Sequence, residues 1–302
     1  MELKDCDALR LATRDCRLVL LTATESEAEP LRRALLGLEP YVVATKKLFV
    51  GRLDPGQRSA REGATVVPVR TALAISGCDK ANAAHVLTCL LQAMRPKPSL
   101  VLQVGVGGAF PSVERGMGAR VGDIVIATRE IYSDTGSSSP AGWLSADELG
   151  LPLAWVNGGE LGGDFPLDAR LVEAAAAAIE TEAWPEPRPK VVIGPCVTAS
   201  RVTGLRAEGE EVVRKWGAVA ESMEGAAAAH ICALYGMPFL EVRGISNLVV
   251  DRDRTSWEVD RAVAAAARAA LAVGAALERL PLVAGDALPG SAGPPSRDAE
   301  KV

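Results

Sequence analysis

Two stretches of the 302-residue chain carry side chains that could do chemistry together. One is Val219-Ala-Glu-Ser-Met-Glu-Gly-Ala-Ala-Ala-Ala-His230, and the other is Glu241-Val-Arg-Gly-Ile-Ser-Asn-Leu248. The first reads as a short strand feeding an alanine-rich helix, which puts Glu224 at the strand-to-helix corner. The second reads as an apolar strand ending in Ser246-Asn247. Polar groups at adjacent strand ends are where an α/β protein usually places a ligand. A carboxylate there can accept a proton or hold hydroxyl groups, and an amide can both donate and accept. Taken singly, Glu224 reads equally well as a helix cap and Asn247 as a turn residue.

The elements that must position these residues can be traced in order. Arg17-Leu-Val-Leu-Leu-Thr-Ala23 is a continuous apolar strand of the kind buried in a parallel sheet. Thr24-Glu-Ser-Glu-Ala-Glu-Pro-Leu31 then starts a helix with a Thr cap, its glutamates complementing the helix dipole. Alternating apolar residues predict strands over 42–50 and 65–75, separated by a loop over 51–63. Ser76-Gly-Cys-Asp-Lys-Ala-Asn82 turns into a helix reaching about Met94. The strand from Pro98 to Val104 ends in Gly105-Val-Gly-Gly-Ala-Phe110, where backbone can approach a ligand closely. Its spacing is not that of a dinucleotide fingerprint. A strand over 121–127 contains Asp123, read as a structural turn residue. Residues 134–165 read as a long irregular region. A helix over 167–182, a proline-rich connector over 184–189, and a strand over 190–200 follow. A helix over 208–216 leads back to the Glu224 stretch. A terminal helix runs from about 259 to 280.

Composition narrows the function classes. Hydrophobic residues make up 48% of the chain and aromatics 4%, so alanine-rich helices and β-branched strands must build the core. The net charge of −5, without a long basic run, argues against nucleic acid or an anionic membrane as partner. No apolar run is long enough for a transmembrane helix. The acidic N-terminus lacks the apolar segment of a secretory signal, so a cytoplasmic setting is expected. Cysteines at 6, 16, 78, 89, 196 and 232 form no Cys-x-x-Cys pair, and the two histidines are too few for a usual zinc set. Neither a metal nor an organic cofactor is expected. One α/β domain over 17–282 is expected, with an extension over 1–16 and a disordered tail over 283–302.

The motifs together resemble the nucleoside phosphorylase and nucleosidase superfamily. Its S-M-E-G-A-A segment matches Ser222 to Ala227, its I-S-N segment matches Ile245 to Asn247, and its V-G-D-I-V strand matches Val121 to Val125. The stretch Gly244-Ile-Ser-Asn-Leu-Val-Val-Asp-Arg-Asp-Arg-Thr-Ser-Trp257 is similar to the futalosine hydrolase family within it, although Val250 stands where that family's pattern has glycine. The resemblance spans about residues 17 to 280. It implies a three-layer αβα fold with a central twisted mixed sheet, a small-molecule nucleoside substrate, and a homo-oligomer of at least two chains.

It also implies roles for particular residues. A carboxylate just after the first strand activates water, and Glu27 fits that position better than Glu25. Glu224 grips the ribose hydroxyls with Met223 packed on the sugar. Ser76 opens a turn like the superfamily's S-G-x-G-K-x-N-A, with Asp79 where that pattern has glycine. Val106 and Gly107 wall the ribose and base. Val197 and Thr198 match the turn that meets the purine, without a stacking aromatic. Asn247 faces the leaving base, where nucleosidases for adenine substrates carry Asp; the amide favours a 6-oxopurine such as hypoxanthine. Related phosphorylases place a G-D-P-x-R segment where this chain has Thr24-Glu-Ser-Glu, whose charge would repel phosphate and favour water. Arg243, Arg252 and Arg254 are candidates to meet a carboxylate on the 5′ substituent, and each reads more readily as an ion-pair or surface residue. Two rivals stay open: another enzyme of the fold, acting on methylthioadenosine or on inosine with phosphate, and a non-catalytic nucleoside sensor.

Overall fold

The first strand shows how the sheet is buried. In β1 (Leu18–Thr22) every residue is inaccessible, and alternation sends Leu18 and Leu20 into one core cluster and Val19 and Leu21 into another. A strand covered on both faces reads as a continuous apolar run, which this one is. The structure is a computed structural model and describes residues 3–53, 68–111, 118–140, 142–156 and 159–282.

The first half of the chain contains α1 (Leu3–Ala12), β1, α2 (Glu25–Ala34), β2 (Leu35–Val43), β3 (Lys46–Leu53), β4 (Val69–Ile75), α3 (Lys80–Ala93), β5 (Leu100–Ala109) and β6 (Ile124–Tyr132). Five short strands follow: β7 (Gly136–Ser139), β8 (Gly142–Ser145), β9 (Ala154–Val156), β10 (Gly159–Leu161) and β11 (Asp164–Pro166). The rest is α4 (Ala169–Glu180), β12 (Val191–Thr198), α5 (Arg206–Trp216), β13 (Ala220–Ser222), α6 (Gly225–Tyr235), β14 (Phe239–Leu248) and α7 (Val259–Ala275).

The central sheet is mixed. Strands β1 and β4, β1 and β5, β5 and β14, β6 and β12, and β12 and β13 pair in parallel. Strands β2, β3 and β4 are antiparallel neighbours, as are β14 and β6, and β13 and β5. The pairings β5–β14–β6–β12–β13–β5 close this half of the sheet on itself, with β11 lying along β6 outside the ring. One face buries apolar residues of α2, α4 and α7, and the other those of α1, α3 and α6. This is the three-layer αβα arrangement the resemblance implies, with the closed ring as an addition.

Several expectations change in detail. The single strand predicted over 42–50 is two antiparallel strands, because Ala44 and Thr45 turn the chain at φ +49° and +64°. A tight hairpin needs positive φ, which glycine or asparagine normally signals and a β-branched threonine does not. Residues 134–165 are not irregular: β7 pairs with β8, β9 with β10, and β11 joins the edge of β6. The extension contains α1, whose Leu9 is buried with residues of α3. Asp123 is the turn residue expected, accepting from the backbone N–H groups of Arg120 at 2.8 Å and Lys190 at 2.9 Å. Most of the predicted 51–63 loop and the whole 283–302 tail lie outside the described residues. Among the described residues no helix is long and apolar enough to cross a membrane.

Candidate active site

The corner between β1 and α2 is built from its own sequence. Thr24 caps the helix, and its hydroxyl accepts from the Glu27 N–H at 3.3 Å. Glu27 reaches back in a capping box, its Oε2 accepting from Ala23 N, Thr24 N and Thr24 Oγ1 at 2.9–3.1 Å. Among the described residues its Oε1 accepts from one group, the Val106 N–H at 2.9 Å. A carboxylate has about four acceptor positions, so Oε1 keeps a lone pair for one further donor. Glu27 is 6% exposed. Glu25 points away and pairs with Lys47 at 2.5 Å, and Glu29 pairs with Arg32 and Arg33. Of the three glutamates, only Glu27 turns inward.

The corner between β13 and α6 is built differently. Glu224 occupies the N-cap position of α6 without a capping bond from its side chain. Its Oε1 accepts from the Asp79 N–H at 3.1 Å and its Oε2 from Arg243 Nη2 at 3.2 Å. It is 3% exposed, and burial raises its pKa against the opposing pull of Arg243. Asp79 can offer its N–H here because the backbone is held at φ +84°, a region essentially reserved for glycine.

Arg243 joins the two corners. It is 1% exposed, with Nε on Glu241 Oε1 at 2.5 Å, Nη2 on Glu224, and Nη1 on the Val106 carbonyl at 3.2 Å. Burial opposes its charge, but Glu241, Glu224 and Glu27 more than offset that and hold its pKa above the ordinary value. The Val106 residue therefore gives its N–H to Glu27 and its C=O to Arg243. Glycine must precede it: a Cβ at Gly105 would stand 2.5 Å from Glu27 Oε1 and 2.6 Å from Arg243 Nη1.

Strands β13 and β14 do not pair with each other, contrary to the reading of adjacent strand ends. They flank β5, and Glu221 and Asn247 both register with Gly108. Ser246 Oγ can donate to Gly107 O at 3.2 Å or to Asn247 Oδ1 at 2.8 Å, and Asn247 Nδ2 donates to Leu248 O at 3.2 Å. The half-buried amide keeps a second N–H and a further lone pair for a ligand. Met223, half-buried, precedes Glu224 directly.

The remaining expected residues are placed as follows. Ser76 is buried, its Oγ within hydrogen-bond reach of the Thr22 and Gly77 carbonyls, and it braces the turn that carries Asp79. Val197 packs among Phe110, Ile131, Ala218 and Val249, and Thr198 Oγ1 bonds Glu130 and the Ala226 N–H. Both side chains are buried, which leaves their backbone to line the turn. Arg243 belongs to the buried carboxylate cluster, while Arg252 and Arg254 are exposed and lie over the Trp257 ring. Glu241 and Glu130, both inaccessible, were not anticipated. The signal for Glu241 was present: Glu241 and Arg243, two apart in an apolar strand, must share one face.

The model of the phosphorylase superfamily matches residues 17–280. The futalosine hydrolase of Streptomyces coelicolor is 34% identical over 217 residues, covering 70% of this chain and 82% of that protein. The 5′-methylthioadenosine/S-adenosylhomocysteine nucleosidase of Geobacillus kaustophilus is 29% identical over 243 residues, covering 79% and 87% respectively. Among solved structures, the same kind of nucleosidase from Neisseria meningitidis, in complex with methylthio-immucillin-A, superposes with a TM-score of 0.68. It is 23% identical and covers 86% of this chain and 98% of that one, a likeness of fold. The chain belongs to the phosphorylase superfamily. Its named relatives are nucleosidases and hydrolases, and it is an enzyme of the N-glycosyl hydrolase class.

Proposed function

We propose that this chain hydrolyses the ribose–purine bond of futalosine, releasing hypoxanthine and dehypoxanthine futalosine for menaquinone biosynthesis. Breaking that bond builds positive charge on the sugar and negative charge on the leaving base. Glu27 takes a proton from the attacking water through the free lone pair on Oε1. Glu224 accepts from the ribose hydroxyls and orients the ring, with Met223 against the sugar. Ser76 holds the turn beside them, and Val106 and Gly107 form the wall behind. Val197 and Thr198 hold the backbone of β12 in place.

The observation that carries the substrate assignment is Asn247. An amide cannot deliver a proton as an acid, but its spare N–H can donate to O6 of a 6-oxopurine while Oδ1 accepts from a protonated N7. The similarity to futalosine hydrolases supports the same choice. Water is preferred to phosphate because the inward-facing group after β1 is the Glu27 carboxylate and the guanidinium beside it is already paired. The same reading carries a cytoplasmic enzyme of at least two chains, which sedimentation would test. The similarity to methylthioadenosine/S-adenosylhomocysteine nucleosidases keeps an adenine nucleoside as the second reading.

The test is base release, followed by chromatography, from futalosine, inosine and methylthioadenosine, each with and without phosphate. Hypoxanthine from futalosine, independent of phosphate, is expected. Adenine from methylthioadenosine would overturn the reading of Asn247, and strict phosphate dependence that of Glu27. Asn247→Asp is expected to move preference toward 6-aminopurines; unchanged selectivity would remove Asn247 as the discriminating group.

A further inference from the structure

Behind the site lies a second pair of carboxyl groups that the reaction does not use. Glu130 on β6 and Glu241 on β14 are inaccessible, and their Oε2 atoms lie together, 2.4 and 1.9 Å from the point a Cβ at Gly225 would occupy. Glu130 Oε2 accepts from Thr198 Oγ1 at 3.0 Å, and Glu241 Oε1 accepts from Arg243 Nε. Among the described residues nothing donates to the two remaining oxygens, Glu130 Oε1 and Glu241 Oε2. Two carboxyl oxygens brought together in this way can bond only through a proton, since each otherwise only accepts.

The surroundings agree. Glu27, Glu224, Glu241 and Glu130 gather around the buried guanidinium of Arg243; among the described residues the other titratable groups that sense the pair are Cys196 of β12 and Tyr132 of β6, neither of them cationic, and the neutral Thr198 and Gln103 lie beside it. Like charges held together in a dry site cannot all ionise. Burial first, and the charge of Glu241 second, drive the Glu130 carboxyl far above the usual carboxylate range. The pair also accounts for the glycine in the Glu224-Gly225 sequence: a Cβ at Gly225 would collide with Glu241 Oε2 and Glu130 Oε2.

We propose that Glu130 and Glu241 share one proton and act as a positioning pair, fixing the Arg243 guanidinium that in turn holds Glu224 and the Val106 peptide bonded to Glu27. The chain of contacts is continuous. The Ala226 N–H holds the Thr198 hydroxyl at 2.7 Å, Thr198 holds Glu130, the shared proton joins Glu130 to Glu241, and Glu241 holds Nε of Arg243. The two η nitrogens are then left to aim at the catalytic corners. The inference rests on the roles given above to Glu27 and Glu224, and one arm of its test is independent of them.

That arm is infrared spectroscopy of the full chain without substrate. The wild type is expected to show the carbonyl band of a protonated carboxyl group that Glu130→Gln lacks; identical spectra would overturn the shared proton. The second arm is kinetic. Glu130→Gln still donates to Glu241 and is expected to keep kcat/KM within about threefold of wild type. Glu130→Leu cannot donate and leaves Glu241 and the Thr198 hydroxyl without their partner, so a lower Tm is expected; assayed well below that Tm, it is expected to lose on the order of tenfold or more in kcat/KM, because small misplacements of reacting groups are costly. Equal losses in both variants, or none in Glu130→Leu, would overturn the positioning role. Absence of base release from every nucleoside would contradict the proposed function and leave the infrared result standing.

Discussion

The two strand-to-helix corners each present a buried glutamate to the same guanidinium, yet they hold it by different means. At the α2 corner, Oε2 of Glu27 is fixed by neighbours three and four residues away in a capping box, and only Oε1 reaches a distant partner, the Val106 N–H. At the α6 corner, Glu224 has no local bond and depends on Asp79, from another turn, and on Arg243 of β14. The difference separates a carboxylate whose place is written into its own segment from one whose place is set by the assembled sheet. It also suits the proposed division of labour. A base must present one lone pair at a fixed point, whereas a group that binds hydroxyls must answer to the rest of the pocket.

The largest expected effect falls on what the two corners share. Arg243→Leu leaves Glu241, Glu224 and Glu27 without their buried cation and is expected to cost about 3–5 kcal/mol in denaturant unfolding. A loss no larger than that of a surface ion pair would mean that the corners stand independently. Next is the backbone at Asp79, which supports the α6 corner alone. Asp79→Gly relieves the positive φ, while Asp79→Ala keeps it and removes the side-chain bonds to Lys80 N and Ser200 Oγ. The glycine variant is expected to be more stable than the alanine variant by about 1–3 kcal/mol. Equal stabilities would show that the left-handed conformation carries no cost there. The smallest effect belongs to the α2 corner. Thr24→Ala removes the cap and is expected to lower stability by about 1 kcal/mol. A much larger loss would mean that this corner, too, is held by distant parts of the chain.

The same contrast explains what could be seen before the structure. Glu27 could be chosen over Glu25 because a Thr cap followed by Glu three residues on is a pattern with its own geometry. The apolar run of β1 announced a strand buried on both faces, and the layered fold followed from the motifs. Glu224 and Asn247 were singled out, but not their relation, because which strands become neighbours depends on how β5, paired along its length with β14, extends past β1 to meet β13. The hairpin turn at Ala44–Thr45 was hidden because neither residue advertises positive φ. Val197 and Thr198 could be matched to the turn that meets the purine, but not the burial of their side chains, because a motif position gives no facing and a one-residue change along a strand reverses it. Glu130 stayed hidden because its partner lies 111 positions away in the numbering that ends at Glu241.

The central role belongs to Glu27 as the group that activates water, and the most direct measurement is futalosine cleavage by Glu27→Gln alongside equilibrium binding of the same substrate. The amide keeps the shape of the side chain but cannot take the proton. Binding close to wild type is expected, with base release slowed by about 10²–10⁴-fold, the range of a lost general base. Hypoxanthine release by Glu27→Gln at the wild-type rate would contradict the account.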